Sequence, residues 1–160
     1  MGSGPSFGRP EEMERDSTST VVVVDGDRGV SPFRAIFRVN LATGARTLVS
    51  GCSDATCSGT VGSGPLFSDG VIGLGVLSGG DLVVSDGLLR ALFAVDGATG
   101  DRSVLSGCVD ASCTSVAGAG THFTDPLGIA TIPEPGLPLG LAACGILLAA
   151  LARRQRERAE

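Results

Sequence analysis

The sequence predicts a mainly β fold: tandem antiparallel β repeats, too few to close a ring, followed by one C-terminal transmembrane α-helix. Three observations predict it. Short apolar runs ending in Asp-Gly recur at residues 21–26 and 82–87, a sixteen-residue block occurs at 37–52 and again at 93–108, and residues 137–152 form sixteen positions without a charge. Composition narrows the function classes. Gly accounts for 25 of the 160 residues, Phe supplies all six aromatics, and each of the twelve basic residues is Arg, so the aromatic bulk that usually anchors a core is scarce. At 42% hydrophobic and 18% charged, the chain is too apolar to be disordered. Its net charge of −5 argues against a nucleic-acid partner, which would require a basic face. One His excludes a His-rich metal cluster and most His-based catalysis. An ordinary soluble enzyme does not fit.

The duplication extends well beyond the block. Phe37, Val39, Thr43, Gly44, Arg46, Ser50, Gly51 and Cys52 recur as Phe93, Val95, Thr99, Gly100, Arg102, Ser106, Gly107 and Cys108, at an offset of 56. The match continues through Asp54/Asp110 and Cys57/Cys113 to Gly62/Gly118, Gly64/Gly120, Phe67/Phe123 and Asp69/Asp125. Upstream, Asp25-Gly26 matches Asp86-Gly87 at an offset of 61, so the first copy carries about five extra residues within 27–35. Gly2, Gly4, Pro5 and Phe7 parallel Gly62, Gly64, Pro65 and Phe67, which places the start of the chain inside a repeat. The reading is the C-terminal portion of a longer frame. It would also explain why residues 1–20 lack a basic region followed by an apolar one, the layout of a secretion signal. Residues 11–20 are charged where their counterparts 71–81 are apolar, and the first twenty residues are expected to be poorly placed.

Each element has a local reason. Residues 21–24 and 82–85 are apolar runs closed by Asp-Gly turns. Second strands follow at 35–39 and 91–95. Turns ending in Gly44 and Gly100 then return the chain into third strands at 46–49 and 102–105. Units run over about 21–75 and 76–131. Three or four short strands per unit point to a propeller-like sheet rather than a solenoid rung, and two such units cannot close a ring.

Phe123-Thr124-Asp125-Pro126-Leu127-Gly128-Ile129-Ala130, and the run from Gly80 to Asp86 followed by Leu92-Phe93-Ala94-Val95-Asp96, carry a further pattern. It resembles the NHL-type repeat of six-bladed β-propellers: Pro-x-Gly-Ile-Ala, then Gly-x-Leu-x-Val-x-Asp, then an apolar strand ending in Asp. The resemblance implies a binding or scaffold surface more often than an enzyme. The alternative it leaves is a metal-dependent, lactonase-like propeller hydrolase, to which these units could contribute Asp25 or Asp86.

At about 1.5 Å per residue, a helix over 137–152 would reach roughly 24 Å, somewhat short of a hydrocarbon core of about 30 Å. Arg153, Arg154, Arg156 and Arg158 can snorkel, and Pro138 suits a first helical turn. Leu139, Leu141, Ile146, Leu147, Leu148 and Leu151 leave no polar face, as a membrane segment requires. The four Arg that follow are the flank expected on the cytoplasmic side. Pro133, Glu134 and Pro135 stand immediately before this run. A Pro-Glu-Pro triplet, a short apolar helix and an Arg-rich end, in that order over about 132–158, resemble the PEP-CTERM sorting signal of exported bacterial proteins. Ile132 stands where Val is common, and Glu157 and Glu160 dilute the basic tail. The resemblance implies recognition of Pro133–Glu134–Pro135 by a membrane-embedded exosortase, processing near the triplet, and delivery to the cell surface or extracellular matrix.

Cys52 and Cys57, and Cys108 and Cys113, occupy the same place in each repeat, inside Gly/Ser/Asp-rich loops. In an exported protein each pair reads as a small disulfide. Free thiols and a metal site are the alternatives; zinc needs four ligands, and the sequence puts no His near either pair. Cys144 lies in the apolar run and reads as a small packing residue. Asp25, Asp27, Asp54 and Asp110 could offer oxygens to Ca²⁺, yet Asp tightens turns for its own reasons and no twelve-residue calcium loop is present. His122 has Leu66 at its repeat position, which gives a catalytic base little support. Gly-x-Gly-x-x-Phe lacks the third Gly and following helix of a dinucleotide loop. The expectation is a non-enzymatic exported protein without cofactor or metal, its repeats outside the cell facing an extracellular ligand, its partners the membrane and a sorting enzyme.

Overall fold

Both copies of the repeat fold into five-stranded antiparallel meanders in the computed structural model, which describes residues 2–26, 34–54 and 56–131. The first sheet runs β1 (Pro10–Arg15), β2 (Thr20–Asp25), β3 (Ala35–Asn40), β4 (Arg46–Cys52) and β5 (Thr60–Val61) in sequence order. The second repeats this as β6 (Val71–Val76), β7 (Leu82–Asp86), β8 (Ala91–Val95), β9 (Arg102–Cys108) and β10 (Val116–Ala117). The mainly β expectation therefore stands, and these two sheets do not close a ring. Among the described residues no helix is long and apolar enough to cross a membrane. The run 137–152, where the transmembrane helix is expected, lies outside them.

The duplication reaches the backbone. Nine positions separate β2 from β3 and four separate β7 from β8, which locates the five extra residues in that connection. Bulges fall at equivalent places, between Ile36 and Phe37 against β4 and between Leu92 and Phe93 against β9. Just beyond each bulge the chain takes a positive φ of 105° at Gly51 and again at Gly107. A Cβ there would stand 2.2 Å from the Arg34 carbonyl oxygen or 2.3 Å from that of Arg90, so only Gly fits.

The sheets are phased differently from the units read in the sequence: they span 10–61 and 71–117, so β6 opens the second sheet instead of ending the first. The expectation for the N-terminus is also corrected. Residues 10–15 form β1 despite the sequence Pro-Glu-Glu-Met-Glu-Arg. Strand order here comes from the partner. Glu12, Met13, Glu14 and Arg15 pair in turn with Val24, Val23, Val22 and Val21, and the ladder needs backbone groups, not apolar side chains. Glu12 then accepts a hydrogen bond from Leu74 N at 2.8 Å, tying β1 to β6.

The core lies where the sheets meet. Val22, Val24, Ile36 and Val49 of the first sheet join Val71, Leu74, Leu82, Val84, Phe93 and Val95 of the second, together with Phe67 from the linker. β6 packs on both β1 and β2. Equivalent positions show what this contact covers. Val49 is 7% exposed against the second sheet, whereas its counterpart Leu105 is 54% exposed. Residues 128–131 run alongside β6: a Cβ on Gly73 would meet Gly128 Cα at 3.0 Å, and one on Gly75 would meet Thr131 and Ile129 at 2.8 and 2.9 Å. This stretch matches residues 72–75 in the repeat and lies beside β6 as β6 lies beside β1.

Candidate functional site

Between the sheets, residues 62–67 form a linker that one side chain organises. Arg102 of β9 donates from Nε to the Pro65 carbonyl at 2.8 Å, from Nη1 to the Val61 carbonyl and the Ser50 hydroxyl at 2.7 Å each, and from Nη2 to the Gly62 and Gly64 carbonyls at 3.3 and 3.4 Å. Its guanidinium lies 5.5 Å from the centre of the Phe67 ring. Phe67 in turn meets Phe93 edge-on at 5.3 Å. Arg46 of β4 does the same for the preceding linker, donating to the carbonyls of Pro5, Gly4 and Gly2 at 2.5, 3.2 and 3.4 Å and facing Phe7 at 5.5 Å. The repeated Gly-x-Gly-Pro-x-Phe is thus a cradle of carbonyls for the repeated Arg. Five fixed donors suit this task, and an ammonium group would not span it. Burial pulls the Arg102 guanidinium below its ordinary range, with Asp101 opposing.

Asp25 and Asp86 hold the other end of each linker. The Asp25 carboxylate accepts from Gly8 N at 2.7 Å and Arg9 N at 2.5 Å. Asp86 accepts from Ser68 N at 2.6 Å, from the Ser68 hydroxyl, and from Leu89 N at 3.0 Å. Both carboxylates are fully buried and face protein donors. Charge-assisted bonds to backbone N–H groups are a structural use of Asp.

The Cys loops are the second repeated constellation. Cys52 bonds to Cys57 and Cys108 to Cys113, each within its own loop. The second Cys of each pair turns the chain with a positive φ, 51° at Cys57 and 55° at Cys113, after its N–H bonds back to the Asp54 or Asp110 carbonyl. Asp54 accepts from Thr56 N at 2.8 Å and from the Ser58 hydroxyl at 2.5 Å; Asp110 accepts from the Thr114 hydroxyl at 2.7 Å and Thr114 N at 3.2 Å. These bonds, led by the hydroxyl of Ser58 or Thr114, hold both carboxyls below the usual carboxylate range, Asp54 well below it. Each Asp is the internal tie of its loop, the turn chemistry anticipated for it.

One neighbour escaped the sequence reading. His122, nine positions after Cys113, folds back so that a ring nitrogen and the sulfurs of Cys108 and Cys113 all lie within 4.8 Å of one another. Sequence spacing hid this because the short β10 and the turn after it reverse the chain. The absence of His from the surroundings of both pairs, expected from sequence, is therefore wrong for the second. Pro133, Glu134 and Pro135, and Arg153, Arg154, Arg156 and Arg158, lie outside the described residues. No protein-family model matches the chain, and no curated protein or solved structure matches it either.

Proposed function

We propose that this is an exported, non-enzymatic protein sorted through its C-terminus. Pro133, Glu134 and Pro135 are the residues read by an exosortase-type enzyme. Residues 137–152 hold the chain in the membrane, and Arg153, Arg154, Arg156 and Arg158 keep its end on the cytoplasmic side. The β repeats stand outside as a propeller-like binding or scaffold module, displayed at the surface or released into the matrix after processing. The observation that carries this reading is the order of its three parts within 28 residues of the C-terminus: triplet, sixteen uncharged residues, four Arg. Two disulfides in equivalent loops support it, since such bonds persist in oxidising compartments.

The test is fractionation of the full chain behind a secretion signal in a bacterium that has an exosortase, beside a strain without one. Wild type should appear at the surface in a shortened form only where the enzyme is present. Pro133→Ala, Glu134→Ala and Pro135→Ala together should accumulate full-length in the membrane. Equal processing of the triple variant, or a full-length protein that never enters the membrane fraction, sinks the reading.

A further inference from the structure

We propose that, before its disulfide is made, the second Cys loop is a binding site for a single Zn²⁺-class cation, held by Cys108, Cys113 and His122. A newly synthesised chain carries both cysteines as thiols, so no redox step precedes binding. The metal displaces the two thiol protons to solvent. Later, thiol–disulfide exchange with an external protein disulfide, which takes up the two electrons and leaves as a dithiol, bonds the two sulfurs to each other, releases the cation and ends the site. In the oxidised loop the two sulfurs are bonded to each other, and a His122 ring nitrogen lies within 4.8 Å of both. Tetrahedral zinc with bonds of about 2.3 Å to sulfur and about 2.0 Å to nitrogen needs its ligands roughly 3.5–3.8 Å apart. In the thiol form the two sulfurs, on Cα atoms 4.8 Å apart, rotate away from each other to that spacing while His122 stays within reach. Cys108 is buried, Cys113 half-buried and His122 exposed. That gradient leaves a fourth position open to water, the arrangement of three protein ligands plus an exchangeable one.

The first loop serves as a built-in comparison. It matches the second in its buried first Cys, half-buried second Cys, positive φ at the second Cys and central Asp. It differs where the third ligand should be, because Leu66 occupies the position of His122. Two thiolates without the imidazole make a poorer site, so the second loop should dominate. This inference is independent of the sorting signal, since it concerns residues 108–122 and would hold in a chain that is never exported.

Co²⁺ is the probe, because thiolate coordination gives it charge-transfer absorption and tetrahedral geometry gives it intense visible bands. The full-length protein, reduced with a phosphine and kept anaerobic, should bind one Co²⁺ with both signatures, and Zn²⁺ should displace it. His122→Leu, which copies the first repeat, should weaken binding by more than the roughly 10- to 100-fold that losing an outer-shell partner costs. Replacing Cys52 and Cys57 with Ser should leave the bands unchanged. The oxidised protein should show none. Bands that survive His122→Leu, bands lost with Cys52 and Cys57, or no bands in the reduced wild type would each overturn the proposal. Far-UV circular dichroism accompanies every titration; loss of the strand spectrum on reduction without recovery on Co²⁺ overturns it as well.

Discussion

Arg102 Nη1 donates to the Ser50 hydroxyl at 2.7 Å, and that hydroxyl donates onward to the Gly100 carbonyl at 2.7 Å. Ser50 belongs to β4 and Arg102 to β9, so a buried chain of hydrogen bonds fastens the second sheet to the first. Removing the guanidinium leaves Ser50 and several linker carbonyls short of a donor inside the protein. Each such group costs about 1–3 kcal/mol, although relaxation and water recover part of it. Arg102→Ala should lose about 2–4 kcal/mol by urea denaturation. Arg46→Ala, at the more exposed equivalent, should lose less. Equal losses would refute the ranking.

Phe67 and Phe123 hold the same repeat position with different surroundings. Phe67 is 1% exposed and meets Phe93 edge-on, while Phe123 is only half-buried. Phe67→Ala should cost about 3–5 kcal/mol and Phe123→Ala under about 1 kcal/mol. A matching cost at both would mean that Phe123 is covered in solution.

Asp86→Ala removes acceptors from three donors, including the N–H groups of Ser68 and Leu89. A destabilisation of about 2–3 kcal/mol is expected. Millimolar Ca²⁺ should not raise the melting temperature of wild type. A clear rise that Asp86→Ala abolishes would assign this carboxylate a metal role.

Asp54 and Asp110 titrate below ordinary carboxylates because loop hydroxyl and N–H groups bond their charged forms. The sign follows from linkage. A folded-state pKa below the unfolded value of about 3.9 gives stability that is present above that pH and lost as pH falls through the folded pKa. Amides of Ser58, Gly59, Thr114 and Ser115 should therefore exchange faster below about pH 4. Asp110→Asn should flatten the dependence at Thr114 and Ser115 alone. Unchanged exchange down to pH 2 would contradict it.

Each disulfide closes a short loop, with cysteines five positions apart. The chain-entropy relation gives about 2 kcal/mol for a loop of that size. Replacing Cys52 and Cys57 with Ser should cost roughly that amount in urea. So should replacing Cys108 and Cys113, if the two loops are energetic equivalents.

Local and repeated features of this protein were determined by its sequence. Val22 to Val24, Leu82 to Val84 and the Asp-Gly turns specify strands through apolar runs and turn chemistry, which act over a few residues. The five-residue insertion and the paired Cys loops were legible because the chain carries its own comparison at an offset of 56. The tertiary structure alone decided three things. It made a strand of Glu11 to Arg15, because a Val-rich neighbour supplied the ladder that the side chains could not announce. It gave Asp25, Asp86 and Arg102 linker and cross-sheet partners 16, 18 and 52 positions away, since a buried charge is settled by whichever donors or acceptors the packed linker presents. And it carried His122 back to Cys108, a proximity that arises from chain reversal and leaves no trace in composition or spacing.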